Sequence, residues 1–200
     1  MSTEKSVGKI GHLKTGGIGH LIFDNPARRN AVSRDMARQV PEVLADFEQD
    51  PDIRVMVVSG AGDKSFISGA DISEFEKTRA NAEAARESSA RSMAMFEGMR
   101  AFPKPTIAKI RGYCFGGGMA LACACDLRVA ADDALFAIPA ARLGIGYRAT
   151  FTRWVIDAVG PANAKEILLT ARRYDAAEAF RLGLVHRVVP VAEFDEFVDD

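Results

Sequence analysis

Two short stretches of this 200-residue chain put small residues where backbone amides could meet a ligand. In Ile110-Arg111-Gly112-Tyr113-Cys114-Phe115-Gly116-Gly117-Gly118-Met119-Ala120-Leu121, a strand-like run from Thr106 to Ile110 enters a glycine cluster, and an apolar helix-like run leaves it. Ser65-Phe66-Ile67-Ser68-Gly69-Ala70-Asp71-Ile72 shows the same strand–turn–helix order. Glycines at a helix start leave amide N–H groups bare where partial positive charge collects. Two such turns can aim two donors at one oxygen, which is the arrangement that holds an enolate.

Other side chains could take part, and each has a plainer alternative. Asp71 is a potential base, but its place in the turn favours a helix cap. Asp126 is read as satisfying buried backbone groups at a strand start. Tyr147 is either a substrate contact or loop packing, and Arg148 beside it either meets an acidic acyl group or is solvated. Arg28 and Arg29 are phosphate contacts or plain surface charge. Glu74 and Glu76 either swing toward a substrate or form a polar helix face. His12, His20 and His186 lack partners at ligand spacing and are read as strand or surface residues. Cys114 is read as a small apolar wall. Cys123 and Cys125 lie two apart on an expected helix, so they face different ways and make no zinc site.

The elements around these residues alternate between strand and helix. Val7 to Leu13 and Gly19 to Phe23 read as a hairpin. Ser33 caps an expected helix reaching Gln49, with Met36, Val40, Val43, Leu44 and Phe47 on one face and Pro41 as a point where it kinks or splits. Val55 to Val58 is an unbroken apolar strand, as in a parallel sheet covered on both faces. Lys77 to Met99 is expected to be helical, ended by Phe102-Pro103-Lys104-Pro105. Asp126 to Ala130 and Ala134 to Ile138 read as strands. Helices are expected over Thr152 to Val159, Ala162 to Thr170 and Ala176 to Leu182, with a last strand over Val185 to Val189. This is an α/β pattern with crossovers long enough for parallel pairing, over one domain spanning 1–200.

Composition narrows the function classes. At 48% hydrophobic and 26% charged residues, the chain can fill a core and is not expected to be disordered. A net charge of -1 argues against an overall field for nucleic acid. Arg86, Arg91 and Arg100 alternate with Glu83, Glu87 and Glu97, which argues likewise. No run approaches the ~20 apolar residues of a membrane span, and Met1 to Gly11 lacks a secretory apolar core. Three cysteines without scaffold spacing suit reduced thiols, so a cytoplasmic location is expected.

Five segments in consistent order resemble the enoyl-CoA hydratase/isomerase family, with its crotonase-like ββα spiral of parallel sheets and surrounding helices. They are Asn25-Pro26 through Asn30-Ala31-Val32, Phe66 to Ile72, Gly112 to Gly118, Cys125 to Ala130, and Leu168-Leu169-Thr170-Ala171 through Leu182-Gly183-Leu184-Val185. The resemblance implies an acyl-CoA thioester substrate, an enolate held by the backbone N–H groups of Ala70 and Gly117, and no cofactor beyond the coenzyme A of the substrate. It implies coenzyme A contacts from Ala27, Arg28, Arg29, Ser68, Ala70, Asp71 and Ile72. It also implies a homotrimer or a dimer of trimers, with a C-terminal helical part that is shortened here.

The chain departs from the family where proton transfer would be done. The two hydratase glutamates fall at Ala120 and Ala140, and alanine moves no protons. Tyr147 resembles a tyrosine of the branch that decarboxylates methylmalonyl-CoA, although that branch has a histidine where Ala70 stands. Decarboxylation of a malonyl-type thioester is therefore the leading expectation. The alternatives are an inactive acyl-CoA-binding or assembly subunit, and an ordinary hydratase or isomerase using other residues.

Overall fold

The computed structural model describes residues 8–71, 74 and 82–200. A hairpin opens the chain: β1 (Lys9–Thr15) pairs antiparallel with β2 (Ile18–Asp24). The Ser33 hydroxyl accepts from Met36 N and caps α1 (Arg34–Gln49), whose buried face is Met36, Val40, Val43, Leu44 and Phe47. Pro41 does not split that helix, which runs unbroken through it. Proline lacks an N–H, but its fixed φ is a helical one, and the packed apolar face outweighs one missing bond.

The body is a spiral. Each turn delivers a longer strand to one sheet, a shorter strand to a second sheet, and then a helix. The first turn is β3 (Val55–Gly60), β4 (Ser65–Ile67) and α2 (Ala82–Ala101). The second is β5 (Thr106–Ile110), β6 (Tyr113–Phe115) and α3 (Gly117–Ala124). The third is β7 (Leu127–Ala131), β8 (Leu135–Ala137) and α4 (Ala149–Thr170). The chain then adds β9 (Tyr174–Asp175), α5 (Ala176–Arg181), β10 (Arg187–Val189) and α6 (Phe194–Asp199). One sheet has six strands in the order β1-β2-β3-β5-β7-β10, and the other has four in the order β4-β6-β8-β9. All pairings are parallel except β1 with β2 and β8 with β9.

Sequence pattern explains most of this. The Val55–Val58 run lies in the middle of the larger sheet, with Met56, Val57 and Val58 buried. The two expected helices on either side of Pro161 form a single element broken at Gly160, where φ is 76° and ψ 164°. Asp175 and Glu178 form a reciprocal capping box at the start of α5. Three elements escape sequence reading: β6 and β9 are too short to show period-two alternation, and α6 lies beyond the last strand signal. The part of the expected second helix at 77–81 lies outside the described residues.

The helix α3 is apolar on every side, and all residues from Gly118 to Ala124 are buried. The main core surrounds it, between the two sheets and helices α1, α2 and α4. A smaller cluster on the other face of the large sheet joins Val57, Val129, Ala131 and Val189 to Phe194 and Val198 of α6. Among the described residues, no helix is long and apolar enough to cross a membrane.

Packing of α3 against β4 depends on a missing side chain. A Cβ placed on Gly118 would lie 2.1 Å from the Ile67 carbonyl oxygen and 2.9 Å from its carbon. Backbone cannot swing aside as a side chain can. Gly118→Ala should therefore destabilise the protein by about 1–3 kcal/mol, exceeding the ~1 kcal/mol that alanine gains in a helix. Urea unfolding checks this, and a midpoint equal to or above wild type would contradict the close approach.

Candidate functional site

Parallel pairing of β4 with β6 sets the two glycine turns side by side. Gly69 has φ 116° and Gly116 has φ 51°, both in the region that favours glycine. A Cβ built on Gly69 would lie 3.7 Å from Gly117 N, and one built on Gly117 would lie 3.6 Å from Gly69 Cα and 3.8 Å from Ala70 N. The amide nitrogens of Ala70 and Gly117 are thus close neighbours.

Surrounding bonds leave those two nitrogens unused. Val32 N donates to Gly69 O at 2.8 Å and Asp71 N donates to Val32 O at 2.9 Å, so Val32 takes the groups on either side of Ala70 N. Gly116 N donates to Ala137 O at 2.9 Å, one residue before Gly117. Among the described residues, neither Ala70 N nor Gly117 N donates a hydrogen bond. Ala70 is exposed and Gly117 partly so, which leaves the pair within reach of a ligand. Gly117 N also stands at the positive end of α3.

Aromatic side chains stand beside the pair. Phe96 of α2 brings its Cζ within 3.7 Å of the Cβ built on Gly117, a proximity across the chain for which the sequence holds no local signal. Phe96 packs on Phe151 at 4.4 Å between ring centroids, and Phe151 meets Tyr147 at 5.7 Å and Trp154 at 5.5 Å. The Tyr147 hydroxyl donates to Gly116 O at 3.0 Å, within the second turn itself. The residue as a whole is partly exposed, yet burial of the phenol pushes it well above its ordinary pKa. Arg148 bonds to the Ser89 hydroxyl of α2 and lies 6.0 Å from the Phe151 ring centre.

The loop holding Ala27, Arg28 and Arg29 is stitched to the first turn. Ser68 Oγ donates to Arg28 O at 3.2 Å, and Ser68 N donates to Arg29 O at 3.2 Å. The buried Asn30 amide donates to Ala61 O at 2.9 Å and to Ser65 O at 2.6 Å, while its oxygen accepts from Asn25 N at 3.0 Å. A polar side chain buried this far requires such partners. Arg29 stacks 4.8 Å from the Tyr113 ring centre. The carboxylate of Asp71 pairs with Arg28 at 2.9 Å: the guanidinium approaches from the neighbouring loop, which sequence spacing cannot show. The residues that Asp71 would cap lie mostly outside the described ones. Ile72 and Glu76 lie outside the described residues. Glu74 accepts from Arg34 N at the start of α1, so its carboxylate serves that helix end.

The remaining candidates have structural partners. Asp126 accepts from Thr106 N and Thr106 Oγ at 2.8 Å each, as expected of a residue that satisfies a strand start. His186 Nδ1 accepts from Arg128 N, and burial followed by the Arg128 charge lowers its pKa. Burial raises the Cys114 thiol well above the usual range, Cys123 to about 11 and Cys125 to about 12. All three thiols stay neutral, inert core groups near pH 7. Ala120 and Ala140 are buried and bring no titratable group to the site. Among the described residues, no cluster of three His, Cys, Asp or Glu could hold a metal ion.

Strands dealt alternately to two parallel sheets, with amide-bearing turns at their junction, define a crotonase-type architecture. Comparison with known proteins agrees. Residues 14–198 match the model of the enoyl-CoA hydratase/isomerase family, and the chain belongs to that family. It is 38% identical over 173 residues to a crotonyl-CoA hydratase of Syntrophomonas wolfei, which covers 86% of this chain and 66% of that protein. It is 35% identical to a peroxisomal Δ(3,5)-Δ(2,4)-dienoyl-CoA isomerase of Arabidopsis thaliana, over 94% of this chain and 71% of that one. A solved structure from Magnetospirillum magneticum, an enoyl-CoA hydratase/carnitine racemase, superposes with TM-score 0.92 at 37% identity, over 97% of this chain and 73% of that one. The chain spans about two thirds of the length of the curated relatives it matches. Those relatives are hydratases and isomerases alike, so likeness alone does not choose a reaction.

The environment of Tyr147 has a measurable consequence. A folded phenol that ionises later than the unfolded one contributes fully below the unfolded pKa, near 10. That contribution is lost as pH rises through the folded value, by up to about 1.4 kcal/mol per pH unit. Phenolate absorbance should show one of the three tyrosines ionising last. Tyr147→Phe should remove that component and flatten the alkaline fall in stability, whereas an unchanged titration would place the late phenol elsewhere.

Proposed function

We propose that this chain binds an acyl-CoA thioester and stabilises an enolate of its acyl group, with the N–H groups of Ala70 and Gly117 as paired oxyanion donors. The observation that carries this reading is the neighbouring position of two amide nitrogens with no described acceptor, on residues that are exposed at Ala70 and partly exposed at Gly117. A thioester enolate concentrates charge on one oxygen, and fixed amide dipoles stabilise it without reorganising. Coenzyme A is assigned to Ala27, Arg28, Arg29, Ser68, Ala70, Asp71 and Ile72. The arginines suit phosphate oxygens through their planar forks. Coenzyme A enters as part of the substrate, and no further cofactor is needed for the step below. The assembly in this reading is a homotrimer or a dimer of trimers in the cytoplasm.

The leading reaction is decarboxylation of a malonyl-type thioester, which makes the protein a lyase. The bond between the α-carbon and its carboxylate breaks, carbon dioxide leaves, and the electron pair passes into the enolate. No base is required for that step, which suits a site with Ala120 and Ala140 where proton-transfer groups would stand. Tyr147, neutral and bonded to Gly116 O beside the second turn, would in this reading turn its hydroxyl from that carbonyl to orient the leaving carboxylate or to help protonate the enolate. The same two alanines favour, as the second reading, an acyl-CoA-binding or assembly subunit without turnover. The names of the relatives favour a third, hydration or isomerisation through other residues.

An acyl-CoA panel read by mass spectrometry separates these. Methylmalonyl- or ethylmalonyl-CoA should lose carbon dioxide, and Tyr147→Phe should slow this. Binding without turnover across enoyl, malonyl-type and hydroxyacyl thioesters would favour the inert subunit. Gly117→Pro removes one N–H at a helix position that accepts proline, and turnover should fall about 10²–10³-fold. A smaller loss would remove Gly117 from the donor pair.

A further inference from the structure

The helix that begins at Gly117 ends in a cluster of cations. Arg128, on β7, is only 7% exposed. Its Nη1 donates to Cys125 O at 2.8 Å and to Ala122 O at 3.4 Å, and its Nε donates to Leu184 O at 2.7 Å. Arg100, more exposed on α2, donates to Cys123 O at 3.4 Å. Three carbonyls at the helix end, those of Ala122, Cys123 and Cys125, thus face guanidinium groups. The acceptors of Arg128 among the described residues are all carbonyl oxygens, with no carboxylate among them.

A buried charge without a counter-ion is costly, and an apolar residue of similar size would often serve stability as well. Helix-end carbonyls carry partial negative charge and hold a cation there. Among the described residues no carboxylate forms an ion pair with it. The thiols of Cys123 and Cys125 are neutral, and the His186 ring acts as an acceptor from Arg128 N. Asp126 is the adjacent carboxylate, and its Oδ2 is taken by Thr106.

We infer that Arg128 is a positioning residue for the reaction at Gly117: its charge neutralises the negative end of α3, so the opposite end presents a larger positive potential to the acyl oxygen, and its three bonds fix that helix against the Leu184 loop. This rests on the assignment of Ala70 and Gly117 as donors. The eight residues of α3 span about 12 Å. With a contact at each end, the charge acts across about 16 Å, and at an effective dielectric of about 20 this amounts to roughly fivefold in turnover.

Arg128→Lys and Arg128→Gln both lose the fork, but only the first keeps the charge. The probe is carbonyl-labelled acetyl-CoA, whose thioester stretch in the infrared reports the field at the donors whether or not the protein turns it over. Wild type should shift the band to lower frequency on binding, the lysine variant should keep most of that shift, and the glutamine variant should lose part of it. Where decarboxylation is measurable, the glutamine variant should turn over about fivefold more slowly than the lysine one, with KM little changed. Equal bands in the two variants would overturn the inference, since a purely structural role would change thermal stability alone. Should Arg128→Gln fail to fold, Arg100→Gln should give the same change at smaller size, and a band unchanged there would also overturn it. Bound acetyl-CoA without any shift in wild type would instead overturn the donor assignment itself.

Discussion

The short parallel ladder between β4 and β6 is the constraint on which the rest of the structure depends. It is only a few residues long and its register shifts between Ser65 and Ile67, yet it sets both glycine turns at one place. The absence of a side chain at Gly118 lets α3 settle against the Ile67 carbonyl, and this sets where Gly117 points its N–H. The larger sheet sends Leu21, Phe23 and Met56 into the core, and the smaller one sends Phe66, Ile67, Phe136 and Tyr174 there while also setting the geometry of the turns. Stability and site are thus shared by two sheets that the spiral builds together, one strand each per turn.

Much of the fold was legible in the sequence because its long elements carry strong patterns. The face from Met36 to Phe47 and the Ser33 cap mark α1, the Val55–Val58 run marks a central strand, and Pro161 marks the break in α4. Family resemblance then ordered the segments. What could not be read has one physical cause: pairing across the chain. Strands of two or three residues such as β9 and β6 exist through their ladder partners, not through their own periodicity. Pro41 reads as a breaker because local rules cannot weigh the tertiary packing that carries the helix through it.

The candidate site divides in the same way. The amide pair at Ala70 and Gly117 was legible because glycine turns before helices have a local signature, and backbone donors need no side chain. Side-chain partners were less so. The ion pair of Asp71 escaped because spacing cannot reveal that Arg28 reaches it from another loop. Glu74 serves the start of α1 by an equally distant contact. Phe96 lies twenty-one positions before Gly117 in the chain, and only the packing of α2 over the turn brings its ring there.

Asn30 gives the site a property of its own. One amide group joins the backbone at Asn25, Ala61 and Ser65, so the segment carrying Arg28 and the turn carrying Ala70 are pinned to a common post. The span between them is therefore constant. In the proposed reading, an elongated ligand gripped at its nucleotide end would always present the same atom to Ala70 and Gly117, so the protein would measure its substrate by length before testing it by chemistry.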